Sequence, residues 1–340
     1  MPANRRSFLQ LGSASLTATL IPRSITLPSQ SSRADSRRYR FVQIDVFTTH
    51  RLEGNKLPVF PDARGLSDAE MQNIARETNL QETTFVFPRD PSLEKEHGIK
   101  VRIFLPQQEI PFAGHPTLGT AFVLRNQRAR ELSLSANDPA LQEISLDLQV
   151  GKIPVTFHND DSGNVFGEMR QVDPVFGQIH DRSAVAAMIG LLPDDISDDA
   201  PIQTVSTGLP FAIVPVKQLS KLQSLDPDFK KVRSYFAKEK LITDFYYVTR
   251  DTRDPQVGLR SRGLFGDGED PATGSAAGCT ASWMVRYGLA ASGQQIKILQ
   301  GVEMKRPSRI FVRAEKQADT IHNVRVGGHA VTVLHGEFQL

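Results

Sequence analysis

His115 and Ser275 stand at matching places in two copies of one motif, 160 residues apart. Glu109-Ile-Pro111-Phe-Ala113-Gly114-His115-Pro-Thr-Leu-Gly-Thr120-Ala121 aligns with Glu269-Asp270-Pro271-Ala-Thr273-Gly274-Ser275-Ala-Ala-Gly-Cys-Thr280-Ala281. Glu, Pro, Gly, Thr and Ala recur at identical offsets, and Arg102 and Arg262 keep the same shift. A repeat this long marks a duplicated domain rather than a solenoid or propeller unit. Each copy is a turn with Pro and Gly that opens a helix of small apolar residues. A helix N-terminus offers unpaired N–H groups and the positive end of its dipole to an anion. Two such ends, with Gly114 and Gly274 at their tips, are two ready-made anion sites, and the active site is expected between them.

The side chains at these turns have ordinary readings too. Pro116 suits the first helical position, which makes His115 the N-cap, and by the repeat Ser275 caps the second helix. Capping alone would account for Ser275 as well as a ligand contact would. Histidine is a poor cap, so an imidazole that titrates near neutral pH and faces a ligand is the better account of His115. Asp270 before Pro271 could form an Asx turn. The first copy has Ile110 there, so the turn does not require a carboxylate and a chemical role is favoured. Glu82, at a helix–strand junction after Asn79-Leu80-Gln81, reads locally as a solvated surface residue.

Other chemistries find no support. The chain has no His-Glu-x-x-His, no paired histidines at metal spacing, no Gly-Lys-Ser/Thr phosphate loop and no Gly-x-Ser-x-Gly elbow. Gly263-x-x-Gly266-x-Gly268 does not open a helix in a βαβ unit, so dinucleotide binding is not expected. The single Cys279 excludes a disulfide framework and a multi-thiolate metal site. No cofactor and no metal are expected.

The elements that must position these residues follow from pattern. Residues 41–47 and 57–60 alternate as strands. Ser67-Asp-Ala-Glu70 opens a helix in capping-box form, with Met71, Ile74 and Ala75 on one face, ending near Asn79. Strands follow at 82–87 and 101–105, then the first repeat helix over 116–125, apolar nearly all round and therefore enclosed by sheet. The second half replays this order: a strand at 164–170, a helix at 183–189, strands at 207–214, 244–248 and 259–264, and a helix at 276–287. Strands at 310–313 and 324–333 close the chain. Strands then helices without βαβ alternation give an α+β class. At 340 residues the chain suggests two domains, with a linker near Asn159–Asn164.

The net charge of +2 hides an asymmetry. Residues 1–40 hold seven Arg and one Asp, which leaves 33 basic and 37 acidic side chains beyond them. A mildly acidic body argues against nucleic acid as a partner. No apolar run nears the ~20 residues of a membrane span, so stable membrane insertion is not expected. Asn4-Arg5-Arg6-Ser7-Phe8-Leu9-Gln10, followed by a modest apolar stretch to Ile21, resembles a twin-arginine export signal, which implies a periplasmic protein. The alternative is a basic tail on a cytoplasmic one.

Phe104-Leu-Pro106 with the first motif, and Glu269-Asp270-Pro-Ala-Thr-Gly-Ser275-Ala, resemble the phenazine-biosynthesis PhzF-like isomerase family. So do Gly54-Asn55, Asn79-Leu-Gln-Glu82-Thr-Thr-Phe-Val86, Ser206-Thr-Gly-Leu-Pro210, Gln300-Gly301, Arg306-Pro307-Ser308 and Gly327-Gly328. The match spans about residues 40–340. It implies a diaminopimelate-epimerase-like fold: two pseudo-symmetric domains, each a mixed sheet or barrel closed around a central helix. These are expected at 39–160, completed by a strand at 330–340, and at 161–329, after an export segment at 1–38. The resemblance makes Glu82 the proton-transfer group, with His115 and Asp270 as catalytic partners and Gly114, Gly274, Ser275 and Asn55 as substrate-binding positions. It implies a cofactor-independent isomerase acting on a dihydro-hydroxyanthranilate-like carboxylate, with a homodimer as a further expectation.

Racemases of this fold carry one thiol directly before the Gly of each turn; Ala113 and Thr273 stand there instead, and neither can carry a proton. A two-base epimerase is thereby disfavoured, and a binding protein without chemistry is the other alternative. Two departures from the family pattern are Lys305, where glycine is expected, and Gly268, where an apolar residue is expected.

Overall fold

In a computed structural model of the chain, residues 37–240, 243–266 and 268–340 are described. The twin-arginine-type segment lies outside the described residues. The first half contains β1 (Arg38–Val46), β2 (Asn55–Phe60), α1 (Asp68–Thr78), β3 (Thr83–Phe87), α2 (Pro91–His97), β4 (Ile99–Phe104), β5 (Glu109–Ile110), α3 (Gly114–Glu131), β6 (Glu143–Leu148), β7 (Gly151–Asn159) and β8 (Val165–Arg170). Then come β9 (Val175–Ile179), α4 (Arg182–Met188), β10 (Gln203–Ser206), β11 (Pro210–Pro215), α5 (Leu219–Gln223), α6 (Phe229–Lys238) and β12 (Asp244–Thr249). The chain closes with β13 (Leu259–Phe265), β14 (Gly268–Asp270), α7 (Gly274–Arg286), β15 (Ile296–Gln300), β16 (Ser308–Gln317), β17 (Thr320–Gly328) and β18 (Ala330–Gln339).

One pairing scheme occurs twice. In the first half β1–β2 is antiparallel, β2–β3 parallel, β3–β4 antiparallel, β4–β6 parallel, and β6–β7 and β7–β8 antiparallel. The same sequence of senses runs through β10–β11, β11–β12, β12–β13, β13–β15, β15–β16 and β16–β17. Each scheme carries a short hairpin, β4–β5 or β13–β14, immediately before its central helix. The two are joined antiparallel at β8–β17, and β18 returns to pair with β1. Asp160–Asn164 form the turn between β7 and β8.

The central helices lie inside these sheets, as their all-round apolarity requires. Helix α3 packs against β1, β2, β3, β6 and β8, and α7 against β10, β11, β16 and β17. Both are buried from their first residue to Arg125 and Val285 respectively. Close approach needs a missing side chain: a Cβ on Gly119 would lie 2.7 Å from the side chains of Leu57 and Val46. Outside the first sheet, α1 starts at the Ser67 capping box and seats Met71, Ile74 and Ala75 on Phe60, Phe85 and Phe104. Helices α4, α5 and α6 cover the second, where Val232 and Phe236 meet Phe245 and Tyr247.

Two details differ from the sequence reading. The 324–333 run is two strands, because the chain turns at His329, whose carbonyl accepts from the N–H groups of Phe47 (2.7 Å) and Thr48 (3.2 Å). Helix α3 extends beyond 116–125 at both ends, its last turns being polar where they emerge from the sheet. The glycine expected at Lys305 has a conformational basis, since Lys305 has φ +59°, in the left-handed region that glycine enters at least cost. Its neighbour Arg306 reaches from the β15–β16 connection to the first half. Nε donates to the Gly54 carbonyl at 2.8 Å, and Nη2 to Asp45 Oδ1 at 2.8 Å and the Glu53 carbonyl at 2.7 Å. This strap fixes the backbone directly before Asn55.

Candidate active site

Each repeat turn is held by its hairpin through a two-pronged ion pair. Arg102 donates to Glu109 at 2.8 and 2.6 Å, and Arg262 to Glu269 at 2.9 and 2.9 Å. The planar guanidinium matches a carboxylate at both oxygens, which explains the shared offset of these residues in the two copies. The clamped turns deliver α3 and α7 tip to tip. A Cβ on Gly114 would lie 3.0 Å from Gly274 Cα, Gly274 C and Ser275 N, so the two helix ends touch backbone to backbone.

The helix starts require a correction. The N-caps are Ala113 and Thr273, not His115 and Ser275, and neither makes a side-chain capping bond. His115 and Ser275 occupy the second helical position and Pro116 the third. Pro116 is tolerated there because first-turn N–H groups have no intrahelical partner. The shift matters chemically. With no N-cap side chain bonded back to the first turn at either end, the first-turn amides of α3 and α7 point toward where an anion could bind.

These ends open on a cavity of about 450 Å³. Glu82, His115, Asp270 and Ser275 line its polar end, while Leu105, Ile110, Phe112, Leu209, Phe211 and Phe265 supply an apolar wall. No Lys or Arg side chain lines it among the described residues. An anionic group entering it would therefore be met by backbone dipoles and neutral side-chain donors such as Ser275 and Gln81, and a cationic group by carboxylates.

Glu82 is not the solvated surface residue that its local sequence suggests. Its Oε2 lies 3.4 Å from His115 Nε2, and its side chain is 15% exposed. The 3.4 Å contact is not an ion pair at neutral pH, because burial pushes the His115 ring down to about 3, against the smaller opposing effect of the Lys56 carbonyl. His115, 4% exposed, is a neutral imidazole.

Asn55 is 1% exposed and sits behind the cavity wall instead of lining it. Its amide nitrogen donates to Asp270 Oδ1 at 2.8 Å and to the Ala272 carbonyl at 3.1 Å, and lies 3.2 Å from His115 Nδ1. Asn55 thus joins the two predicted partners of Glu82 across the two halves. Burial raises the Asp270 carboxyl, opposed by hydrogen bonds from Thr273, the Ala272 N–H, Asn55 and Gln81.

The structure therefore brings Glu82, His115, Asp270, Gly114, Gly274 and Ser275 to one cavity, with Asn55 directly behind them. Cys279 stays out of it: it is buried, pushed up to about 11, and bonded to Thr207 and the Leu209 carbonyl. Sequence reasoning missed Thr273 and Tyr246 as site-supporting groups and assigned Gln300 no role. The Gln300-Gly301 pair was the available signal for the last.

Comparison with known proteins identifies the family and the fold. The family described as phenazine biosynthesis-like protein matches residues 44–336. The trans-2,3-dihydro-3-hydroxyanthranilate isomerase of Pseudomonas chlororaphis is 36% identical over 304 residues, covering 89% of this chain and 100% of that protein. The crystal structure of a Bacillus anthracis phenazine biosynthesis protein of the PhzF family aligns with TM-score 0.77 at 27% identity, over 89% of this chain and 99% of that one. A hydroxyproline epimerase from Agrobacterium vitis shares the fold, with TM-score 0.56 at 13% identity over 89% of this chain and 93% of that one. By its sequence over that span, and by the fold that carries the site, the chain belongs to the phenazine biosynthesis-like, PhzF-type family of isomerases.

Proposed function

We propose that this isomerase moves a proton between two carbons of a small amino-carboxylate related to trans-2,3-dihydro-3-hydroxyanthranilate, with Glu82 as the single acid–base group. The observation that carries the reading is Glu82 beside a neutral His115, at the cavity end where two uncapped helices meet. The substrate carboxylate is held by the amides of Gly114, Gly274 and Ser275, and its amine faces Asp270. The apolar wall receives the ring. Ionised Glu82 removes a proton from an activated carbon, and the electron pair delocalises into the conjugated system. Glu82 then returns the proton to a distant carbon, giving an isomer with no net change in composition. His115, which is neutral and cannot neutralise Glu82, orients it or a substrate hydroxyl. Ala113 and Thr273 leave the opposite position without a base, so one face and one carboxylate serve both transfers. Movement of the two halves toward each other would exclude water from this step.

The test is an NMR time course of trans-2,3-dihydro-3-hydroxyanthranilate in D₂O with the protein and with Glu82→Gln. Positioned proton transfer contributes roughly 10²–10⁴-fold, so Glu82→Gln should lose that factor in turnover while its substrate affinity, measured by calorimetry, is retained. Near-normal turnover by Glu82→Gln would sink the assignment. Export through the twin-arginine-type segment belongs to the same proposal; cell fractionation of the chain with Arg5 and Arg6 changed to Lys should find it retained in the cytoplasm.

A further inference from the structure

Behind Asp270 lies a file of fully or nearly buried polar groups to which the proposed reaction gives no proton-transfer part: Ser261 and Gln300 at 0% exposure, Tyr246 at 0%, and Thr273, which also borders the cavity, at 7%. Its distances fix the direction of every hydrogen bond. Gln300 Oε1 lies 2.7 Å from Tyr246 Oη and 3.1 Å from Thr273 N. Its Nε2 lies 2.8 Å from the Asp270 carbonyl and 2.9 Å from Thr273 Oγ1. An N–H donor faces one terminal atom and a carbonyl faces the other, so the amide has one orientation, with all its donors and acceptors engaged. Tyr246 must give its one proton to Gln300 Oε1, because a carbonyl only accepts. The 2.8 Å contact with Ser261 Oγ is therefore a bond that Ser261 donates.

The same logic runs forward. Thr273 Oγ1 accepts from Gln300 Nε2, which can do nothing but donate, so the Thr273 proton is directed to Asp270 Oδ2 at 2.7 Å. The file is polar end to end: Ser261 to Tyr246 to Gln300 to Thr273 to Asp270, with each donor aimed at the carboxylate. A proton on Asp270 Oδ2 would compete with the Thr273 hydroxyl for that contact, so the file as arranged favours the carboxylate. Gly263 leaves the room required, since a Cβ there would lie 2.7 Å from Thr273 Oγ1 and 3.0 Å from Gln300 Nε2.

We propose that Gln300 is a positioning residue that holds Asp270 in its ionised form, acting through the Thr273 hydroxyl. Hydrogen bonds that strengthen one another in a low-dielectric interior make this arrangement more effective than its separate pairs. The need for it is physical: burial favours the neutral carboxylic acid, and among the described residues no Lys or Arg lines the cavity to oppose it. The other titratable groups facing Asp270 do not hold it ionised. Glu82 is a second carboxyl, His115 is neutral, Tyr246 is kept a neutral phenol by burial, and Glu269 is engaged by Arg262. An anionic Asp270 is what a substrate amine would meet. That consequence rests on the function proposed above; the charge state of Asp270 does not.

The experiment reads Asp270 directly in the full chain, labelled with ¹³C at aspartate carboxyls and assigned with Asp270→Asn. Gln300→Met and Thr273→Val, neither of which adds charge, should each raise the pH midpoint of Asp270 by about one unit or more, a tenfold change in ionisation. Thr273→Ser, which keeps the hydroxyl, should stay at the wild-type midpoint. Unchanged midpoints in Gln300→Met or Thr273→Val proteins with native circular dichroism would overturn the proposal. If Gln300→Met does not fold, the Thr273→Val and Thr273→Ser pair decides it alone. Where substrate is turned over, the acid limb of kcat/KM should move with the midpoint, and a limb that moves while the midpoint stays fixed also overturns it. Absence of turnover in the wild-type protein would refute the proposed function and leave the midpoint test standing.

Discussion

Gly114→Ala probes whether contact between the two helix tips is what builds the site. The new Cβ would lie 3.0 Å from three backbone atoms of the facing helix, where ordinary contacts begin at 3.4 Å. The tips must therefore separate by at least ~0.4 Å, the difference between those two distances. No side chain can rotate away, because Gly274 Cα, Gly274 C and Ser275 N are all main-chain atoms. Overpacking of this kind costs typically ~1–3 kcal/mol, against which alanine recovers up to ~1 kcal/mol of helix propensity. The net loss of stability should be about 0–3 kcal/mol by urea unfolding. Turnover should fall further, roughly 10–100-fold, since sub-ångström displacement of a positioned anion site is costly to the reacting geometry. Gly274→Ala is the internal control. Its Cβ meets the Phe47 ring edge at 3.2 Å and Gly114 Cα only at 3.4 Å, so a side chain can yield and both losses should be smaller. A Gly114→Ala protein with wild-type turnover, or a Gly274→Ala protein that is the worse of the two, would refute the tip-to-tip account.

The depressed His115 ring predicts a pH signature with a definite sign. Its pKa falls from 6.5 unfolded to about 3 folded, so its stabilisation is complete above ~6.5 and is lost as pH falls toward 3. Between pH 7 and pH 5 wild type should lose about 2 kcal/mol more than His115→Gln in urea melts, and parallel pH dependences would refute a buried neutral ring. Arg306→Met should cost about 3–5 kcal/mol, because it leaves Asp45, 1% exposed, without its cation. Asp45→Asn in that background should recover part of the loss, and a destabilisation below about 1 kcal/mol would show the strap to be incidental. Lys305→Gly should stabilise by roughly 0.5 kcal/mol: relief of a left-handed non-glycine residue, ~1–2 kcal/mol, exceeds the added unfolded-chain entropy of glycine, ~0.4–1 kcal/mol. Any destabilisation by Lys305→Gly would contradict the strain reading.

Much of the architecture was legible because it is written in local chemistry. The Ser67 capping box, the left-handed Asn79 after α1, the all-apolar central helices and the Arg–Glu pairs at a seven-residue spacing are all short-range patterns that water and sterics enforce wherever they occur. The turn repeat likewise announced the two helix ends that meet at the cavity. Local rules misjudged the register of those ends. Proline at the third helical position looks the same in sequence as proline at the first, and only the folded backbone, with Ala113 and Thr273 as N-caps, shows that the helices begin two residues earlier than the cap rules place them.

What tertiary structure alone decided is which groups meet. Glu82 is an unremarkable loop carboxylate until the parallel β2–β3 pairing carries it to His115, and its neighbours in sequence give no sign of that. Asn55 and Asp270 are 215 residues apart, yet share a 2.8 Å hydrogen bond because the Arg306 strap fixes the chain before Asn55. The charge states follow the same division. Residue type sets the reference pKa of a histidine or an aspartate, but the enclosing sheets remove the water around His115 and Asp270, and distant Gln300 and Tyr246 complete the polar file behind the latter. Sequence alone thus determined the class of fold, the two helix ends and the candidate carboxylates. The proximity and ionisation of those groups arise from burial and from contacts between residues far apart in the chain, which no local pattern encodes.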